Sequence, residues 1–349
     1  MKEKIRERCE LLKNNCKAIA REFSLEKDLM SVVAGMIYTN AGREVDLNIL
    51  KECKNIISKH TGMFSRFKKN VDLVLESRMA MSDDPEKYIE TVIDTYNKIR
   101  KVKMKDNDFT IIAAALLCEL GKTDSIKEVM ERYDELMKRM EKEHPFLTDA
   151  TDSSKVMLLA VSDRDIDSIT NDMEECIQYL KKTRKTKAGS DAVQGIGEVL
   201  ALEEGNLKER CDRVDKIIAL FKEKKTGFSG DREFASLGSL ADIDAKPEIL
   251  VNQIIEAAEI LKEYKTFSDS SLNKSQRFMY AAALVEGCYR ENSAVKNTDY
   301  ISSTLGILKD RQTAAMISAL MQILPGIVEA VFSADNKNDS DSAEDEKEH

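Results

Sequence analysis

Three short acidic turns are the feature of this sequence with the clearest capacity for chemistry: Asp83-Asp84, Asp163 with Asp165, and Asp242 with Asp244. Carboxylates recurring along one edge of a stacked array could ligate a divalent cation through oxygen, or face a basic protein surface. The simpler reading is that each acid accepts N–H bonds at the start of its own helix, where donors lack intrahelical partners. That reading is preferred, and Asp83, Asp84, Asp163, Asp165, Asp242 and Asp244 stand as weak metal candidates only.

Histidine is scarce: His60, His144 and the terminal His349. Neither internal histidine has a Cys, His or carboxylate at ligand spacing on the same helical face, so a zinc or iron site has little support. Both suit the C-terminal end of a helix, where an imidazolium meets the negative end of the dipole. Seven cysteines lie at 9, 16, 53, 118, 176, 211 and 288, an odd number with no Cys-x-x-Cys pair. Set among apolar neighbours, they read as small buried hydrophobes of a reducing compartment. No Ser/His/Asp, Cys/His, dinucleotide-loop or Walker pattern survives inspection, and Gly195 and Gly197 fall inside a helical run, not after a strand. Catalytic residues: none; cofactors: none; whether the chain is an enzyme stays open, leaning against.

The elements that position these residues are helices. Few prolines, no Trp and a large Lys/Glu/Leu/Met share favour helix over strand. Phe64, Phe146 and Phe228 recur 82 residues apart, each followed by a hydrophobic-Ala pair (Met79-Ala80, Leu159-Ala160, Leu240-Ala241) and an acidic turn. These phenylalanines read as repeat anchors inserted between neighbouring hairpins, with an aromatic row along a ligand groove as the alternative. Pro85 and Pro247 follow two of the acidic turns and suit a first helical turn. Between these units lie helices of small residues, Val32 to Met36, Ala113 to Leu117, Val193 to Gly197 and Ala281 to Leu284, which let backbones approach closely. Ser125 with Glu128, and Asn206 with Glu209, have capping-box spacing.

The resulting expectation is an all-α fold of tandem αα-hairpin repeats, an α-solenoid favoured over an α/α toroid. An N-terminal helix (1–24) precedes about seven hairpins over 25–310, near 25–61, 62–101, 106–143, 144–182, 188–225, 226–264 and 272–310. A hairpin of this size cannot bury its apolar face alone, so stacking is what stabilises it. Apolar helices over 311–332 cap the array. The stretch 313–332 is long enough for a bilayer, but Glu329 and Pro325-Gly326 argue for a capping helix pair. A disordered acidic tail, 333–349, carries seven acids against Lys337 and Lys347.

A net charge of −9 disfavours nucleic acid as a partner, because such a chain repels phosphate. The strongest basic run, Lys181 to Lys187, reads as a solvated linker. The charged N-terminus lacks a signal core, so a cytoplasmic location is expected.

The Pro145-Phe146-Leu147-Thr148 stretch followed by Leu158-Leu159-Ala160, with Gly227-Phe228-Ser229 followed by Leu240-Ala241, resembles a bacterial family found mostly in Firmicutes. It is the uncharacterised domain-of-unknown-function family numbered four thousand and three. The resemblance covers roughly residues 10 to 325. It implies a bacterial helical protein and supplies no catalytic residues. The favoured role is a protein–protein interaction scaffold whose partner is another protein. An enzyme or a small-molecule or metal binder on a toroid, using the acidic turns, comes second. A membrane-peripheral factor acting through 313–332 comes third. Oligomeric state is not fixed by sequence.

Overall fold

The computed structural model describes residues 1–23, 28–62, 65–68, 71–101, 108–143, 153–162, 164–183, 190–202, 205–228, 232–269 and 272–292. The chain is all-helical, and no strand occurs among these residues. Thirteen α-helices are named in chain order: α1 Lys2–Glu22, α2 Asp28–Asn40, α3 Leu47–His60, α4 Asp72–Met79, α5 Pro85–Lys101, α6 Asp108–Glu119 and α7 Ile126–Glu143. They continue with α8 Ser153–Val161, α9 Ile166–Thr183, α10 Ser190–Leu200, α11 Leu207–Glu223, α12 Pro247–Lys262 and α13 Lys274–Asn292. The 3-10 segment Arg232–Leu240 lies between α11 and α12.

Two kinds of helix alternate, and the sequence explains both. In α7 the buried residues Ile126, Val129, Met130, Tyr133, Leu136 and Met140 recur at helical spacing, and charged side chains occupy the other face. In α6, Ile111 to Leu117 are all buried, so that helix is enclosed all round. The same contrast separates α1, α3, α5, α9, α11 and α12 from α2, α4, α8, α10 and α13. We call the first kind outer and the second inner.

Packing does not follow the shortest connections. The most extensive pairing is α10 with the 3-10 segment, followed by α1 with α2, α12 with α13, α5 with α6, α9 with α10 and α7 with α8; α4 packs equally on α2 and α3. The pairs of successive helices among these are joined by 5 to 11 residues at what we call the long-connection end. Inner helices lead into the next outer helix through 4 to 6 residues at the short-turn end, and helices joined there, such as α2 and α3, touch little. The packing pairs are therefore displaced by one helix from the hairpins read in the sequence. Close approach explains the small residues. A Cβ on Gly35 of α2 would lie 2.6 Å from the Cys16 sulfur and 3.3 Å from its backbone nitrogen. One on Gly197 of α10 would meet the Met173 carbonyl oxygen of α9 at 3.2 Å.

Outer helices touch in the order α1, α3, α5, α7, α9, α11, α12, and α12 in turn touches α1. Helix α1 also packs on α13. Lys2 pairs with Glu256 at 3.1 Å, the Tyr264 hydroxyl donates to Glu10, and Lys4 Nζ donates to the Cys288 carbonyl at 3.4 Å. The first helix therefore rests on the last two described helices. The expected hairpin 272–310 contributes α13, and its remainder, with 311–349, lies outside the described residues.

Candidate functional site

The acidic turns sit where outer helices begin. Asp84 accepts from the Lys87 amide at 3.0 Å and Asp165 from the Ser168 amide at 3.0 Å, so each caps its own helix. Asp46 does the same for α3 through Asn48 and Ile49. Asp242 behaves differently: it accepts from Arg210 at 3.1 Å, and Pro247 opens α12 with no side-chain cap. Asp83 and Asp244 are exposed, and Asp163 lies outside the described residues. Among the described residues no group of three or more His, Cys, Asp or Glu is placed to hold a metal ion. Asp165 is held below the usual carboxylate range, chiefly by the Ser168 amide. This is the signature of a helix cap, not of a coordination shell.

His60 ends α3 and faces the carboxylate of Glu86 at 3.2 Å. His144 and His349 lie outside the described residues, as do Phe64 and Phe146. The described repeat anchor, Phe228, is half-buried among Phe221, Phe234 and Phe278, with ring centroids 5.5, 5.5 and 5.9 Å away. It thus joins α11, the 3-10 segment and α13. Of the thiols, Cys211 is shifted down, chiefly by its hydrogen bond with Cys176. Burial pushes the Cys9 and Cys53 thiols up to about 12 and Cys118 to about 11, and all seven are free.

Sequence reading missed a set of inward arginines at the short-turn end, Arg132 and Arg213 half-buried and Arg78, Arg164 and Arg210 buried. Arg132 donates to the carbonyls of Ala160 at 2.9 Å, Ser162 at 3.0 Å and Arg164 at 2.6 Å. Arg213 donates to Leu240 at 3.3 Å and also to Ile243 and Ala245. Each is the seventh residue of its outer helix, and each holds carbonyls at and beyond the end of an inner element, where intrahelical donors run out. Arg164 and Arg210 reach the end of α10 from two sides, through Ala201 at 2.5 Å and Leu200 at 2.7 Å. Arg78 of α4 forms a two-point pair with Glu119 of α6, Nε to Oε1 at 2.6 Å, and the Tyr88 hydroxyl donates to the same oxygen at 2.6 Å. The one signal in the sequence was that Arg132 and Arg213 stand almost one repeat apart.

Carboxylates on the inner helices also have local partners. Glu286 accepts from Ser239 at 2.8 Å, and Glu198 from Gln194 at 3.1 Å. Such groups brace the interior. The opposite end, where outer helices finish, presents exposed Lys59, Lys101, Lys142, Lys181, Lys182, Lys222, Lys224 and Lys225. Lys181, Lys182 and Thr183 belong to the last turn of α9, not to a linker; residues 184–187 lie outside the described residues. The basic surface can attract an anionic partner.

No helix among the described residues is long and apolar enough to cross a membrane; 313–332 lies outside them. In sequence the chain is 21% identical over 304 residues to the uncharacterised protein YeaA of Bacillus subtilis (strain 168), an alignment covering 85% of this chain and 90% of that protein. No solved structure matches. Residues 15–323 match the family described as protein of unknown function DUF4003, and that extent places the chain in this family as a member.

Proposed function

We propose that the helix pairs close into an α/α toroid that serves as a rigid frame for binding another protein in the cytoplasm. One observation carries this reading: α1 packs on both α12 and α13, so outer helices that touch in sequence order also touch first to last. The solenoid favoured by sequence has a free first and last repeat, and contacts of this kind leave neither free. In a ring filled by inner helices the concave groove is lost, so partner surfaces move to the rims. Small-angle scattering tests the closure. A compact ring of this length gives a radius of gyration near ~20 Å, and a clearly larger value with an elongated distance distribution would reject it. Affinity capture with the full chain tests the role: a stoichiometric protein partner is expected, and repeated recovery of the chain alone would reject the frame reading.

A further inference from the structure

The basic corner made by α9 and α11 has a feature that helix capping does not explain. Three helices end in the same backbone arrangement. After α2, the Arg43 amide bonds the Tyr38 carbonyl at 3.0 Å, with Gly42 at φ 65°; after α6, Lys122 bonds Leu117 at 2.9 Å, with Gly121 at φ 64°. After α11, Thr226 bonds Phe221 at 3.2 Å, but the residue in the left-handed position is Lys225, at φ 51°. It is the one non-glycine with positive φ among the described residues. A glycine there is free of the steric penalty that an L side chain meets. The chain keeps a cation at a place where the backbone favours none.

That cation has company. Helices α9 and α11 pack side by side, with Tyr179 bonded to Asp212 and Thr183 to Asp215 at 3.4 Å, which fixes a parallel register. Lys181 and Lys182 therefore sit about two helical turns, ~11 Å, below Lys222, Lys224 and Lys225 on the neighbouring helix. All five are exposed. In sequence, Arg184, Lys185 and Lys187 follow directly on the lower pair. The most acidic run of the same chain is 335–348, with Asp335, Asp339, Asp341, Glu344, Asp345, Glu346 and Glu348 against two lysines.

We propose that this corner is the docking surface for the acidic segment 335–348 of the same chain. Charge complementarity selects the occupant, and tethering raises its local concentration far above that of a partner in solution. About forty residues separate the end of α13 from Asp335; with 311–332 helical as the sequence predicts, the eighteen residues before them still reach ~60 Å when extended, about two helix lengths. The inference is independent of ring closure, since it uses only the α9–α11 pair.

Zero-length carbodiimide cross-linking of the full chain, read by mass spectrometry on a mixture of isotopically light and heavy protein, tests it. Links from carboxylates 335–348 to Lys181, Lys182, Lys222, Lys224 and Lys225 should dominate and stay within one isotopic population. Their yield should fall at least about five-fold in ~0.5 M salt, where screening shortens the reach of surface charge. Links spread over other lysines, or links of mixed isotope (a second copy as occupant), would overturn the proposal. A variant carries the test independently of the lysines: the seven acids changed to Asn or Gln, all of them outside α1 to α13. Amine-reactive labelling of the five lysines should then rise about three-fold or more; unchanged labelling overturns the proposal as well.

Discussion

The two ends of the helix array are built from the same residue types and used in opposite ways. At the short-turn end, arginines are taken inward. Arg132 and Arg213 grip turn carbonyls, Arg164 and Arg210 close α10, and Arg78 lies buried on Glu119. At the long-connection end, cations point outward on Lys59, Lys101, Lys142, Lys181, Lys182, Lys222, Lys224 and Lys225. One exception sharpens the rule: Arg277 bonds the Phe267 carbonyl and Asp269, both at 2.8 Å, and fastens the connection ahead of α13. The planar guanidinium can satisfy several carbonyls at once, whereas an ammonium is a strongly hydrated point charge better left in water. The cations taken inward at the short-turn end are arginines; at the other end the lysines, with Arg21 and Arg100, stay exposed.

The largest effect should come from breaking the buried pair. Arg78→Ala leaves the Glu119 carboxylate, about 10% exposed, without its counter-charge, and should lower unfolding stability by about 3–5 kcal/mol. Chemical denaturation reads this directly. The double change Arg78→Met with Glu119→Leu should recover much of the loss, because two apolar groups replace two charges. Equal loss in the single and double variants would mean that the pair contributes packing, not charge balance.

Next comes Arg213→Ala, which strips donors from three carbonyls on a half-buried turn and should cost about 1.5–3 kcal/mol. Arg132→Ala should match it within error, since the two residues hold equivalent positions. Lys222→Ala at the other end should change stability by less than about 0.5 kcal/mol. A loss at Lys222 comparable with that at Arg213 would erase the distinction between the ends.

These contacts also mark how far the sequence could be read. Helix type was legible because it is periodic: the face of α7 and the small residues of α6 announce themselves within a few turns. The caps at Asp84 and Asp165 were legible because donor and acceptor lie three residues apart. Asp242 was not, since Pro247 opens the helix without it and Arg210, 32 residues away, takes the carboxylate. The grips of Arg132 and Arg213 span 27 to 32 residues and end on backbone carbonyls, which carry no sequence identity at all. Placement of α1 against α12 and α13 joins residues such as Glu10 and Tyr264, 254 positions apart, and no local pattern encodes that.

A smaller effect, of opposite sign, is expected at Lys225. Lys225→Gly relieves a left-handed residue of its Cβ and should stabilise the chain by about 1 kcal/mol, measurable as a raised melting temperature. The same change at an exposed lysine inside a helix, such as Lys138 of α7, should destabilise by a similar amount. If Lys225→Gly also destabilised, the cation would be holding the end of α11 together, and the lysine surface would not be free of structural duty.

The finest test uses pH. Asp165 and Asp269 are both held below the usual carboxylate range, the first chiefly by the Ser168 amide and the second chiefly by its hydrogen bond with Arg277. A depressed carboxylate adds stability that is present above its unfolded value, near ~4, and disappears as pH falls through its lower folded value. The melting temperature should therefore drop as the solution is taken from about pH 5 to pH 3. Asp165→Asn should make that drop shallower while leaving the neutral-pH value nearly unchanged, because an asparagine oxygen still accepts the Ser168 amide. Asp269→Asn should also make it shallower, but with a loss at neutral pH, because Arg277 then faces an uncharged partner. Identical behaviour of the two variants at neutral pH would mean that Arg277 does not draw on Asp269, and this inward arginine would be held by the Phe267 carbonyl instead.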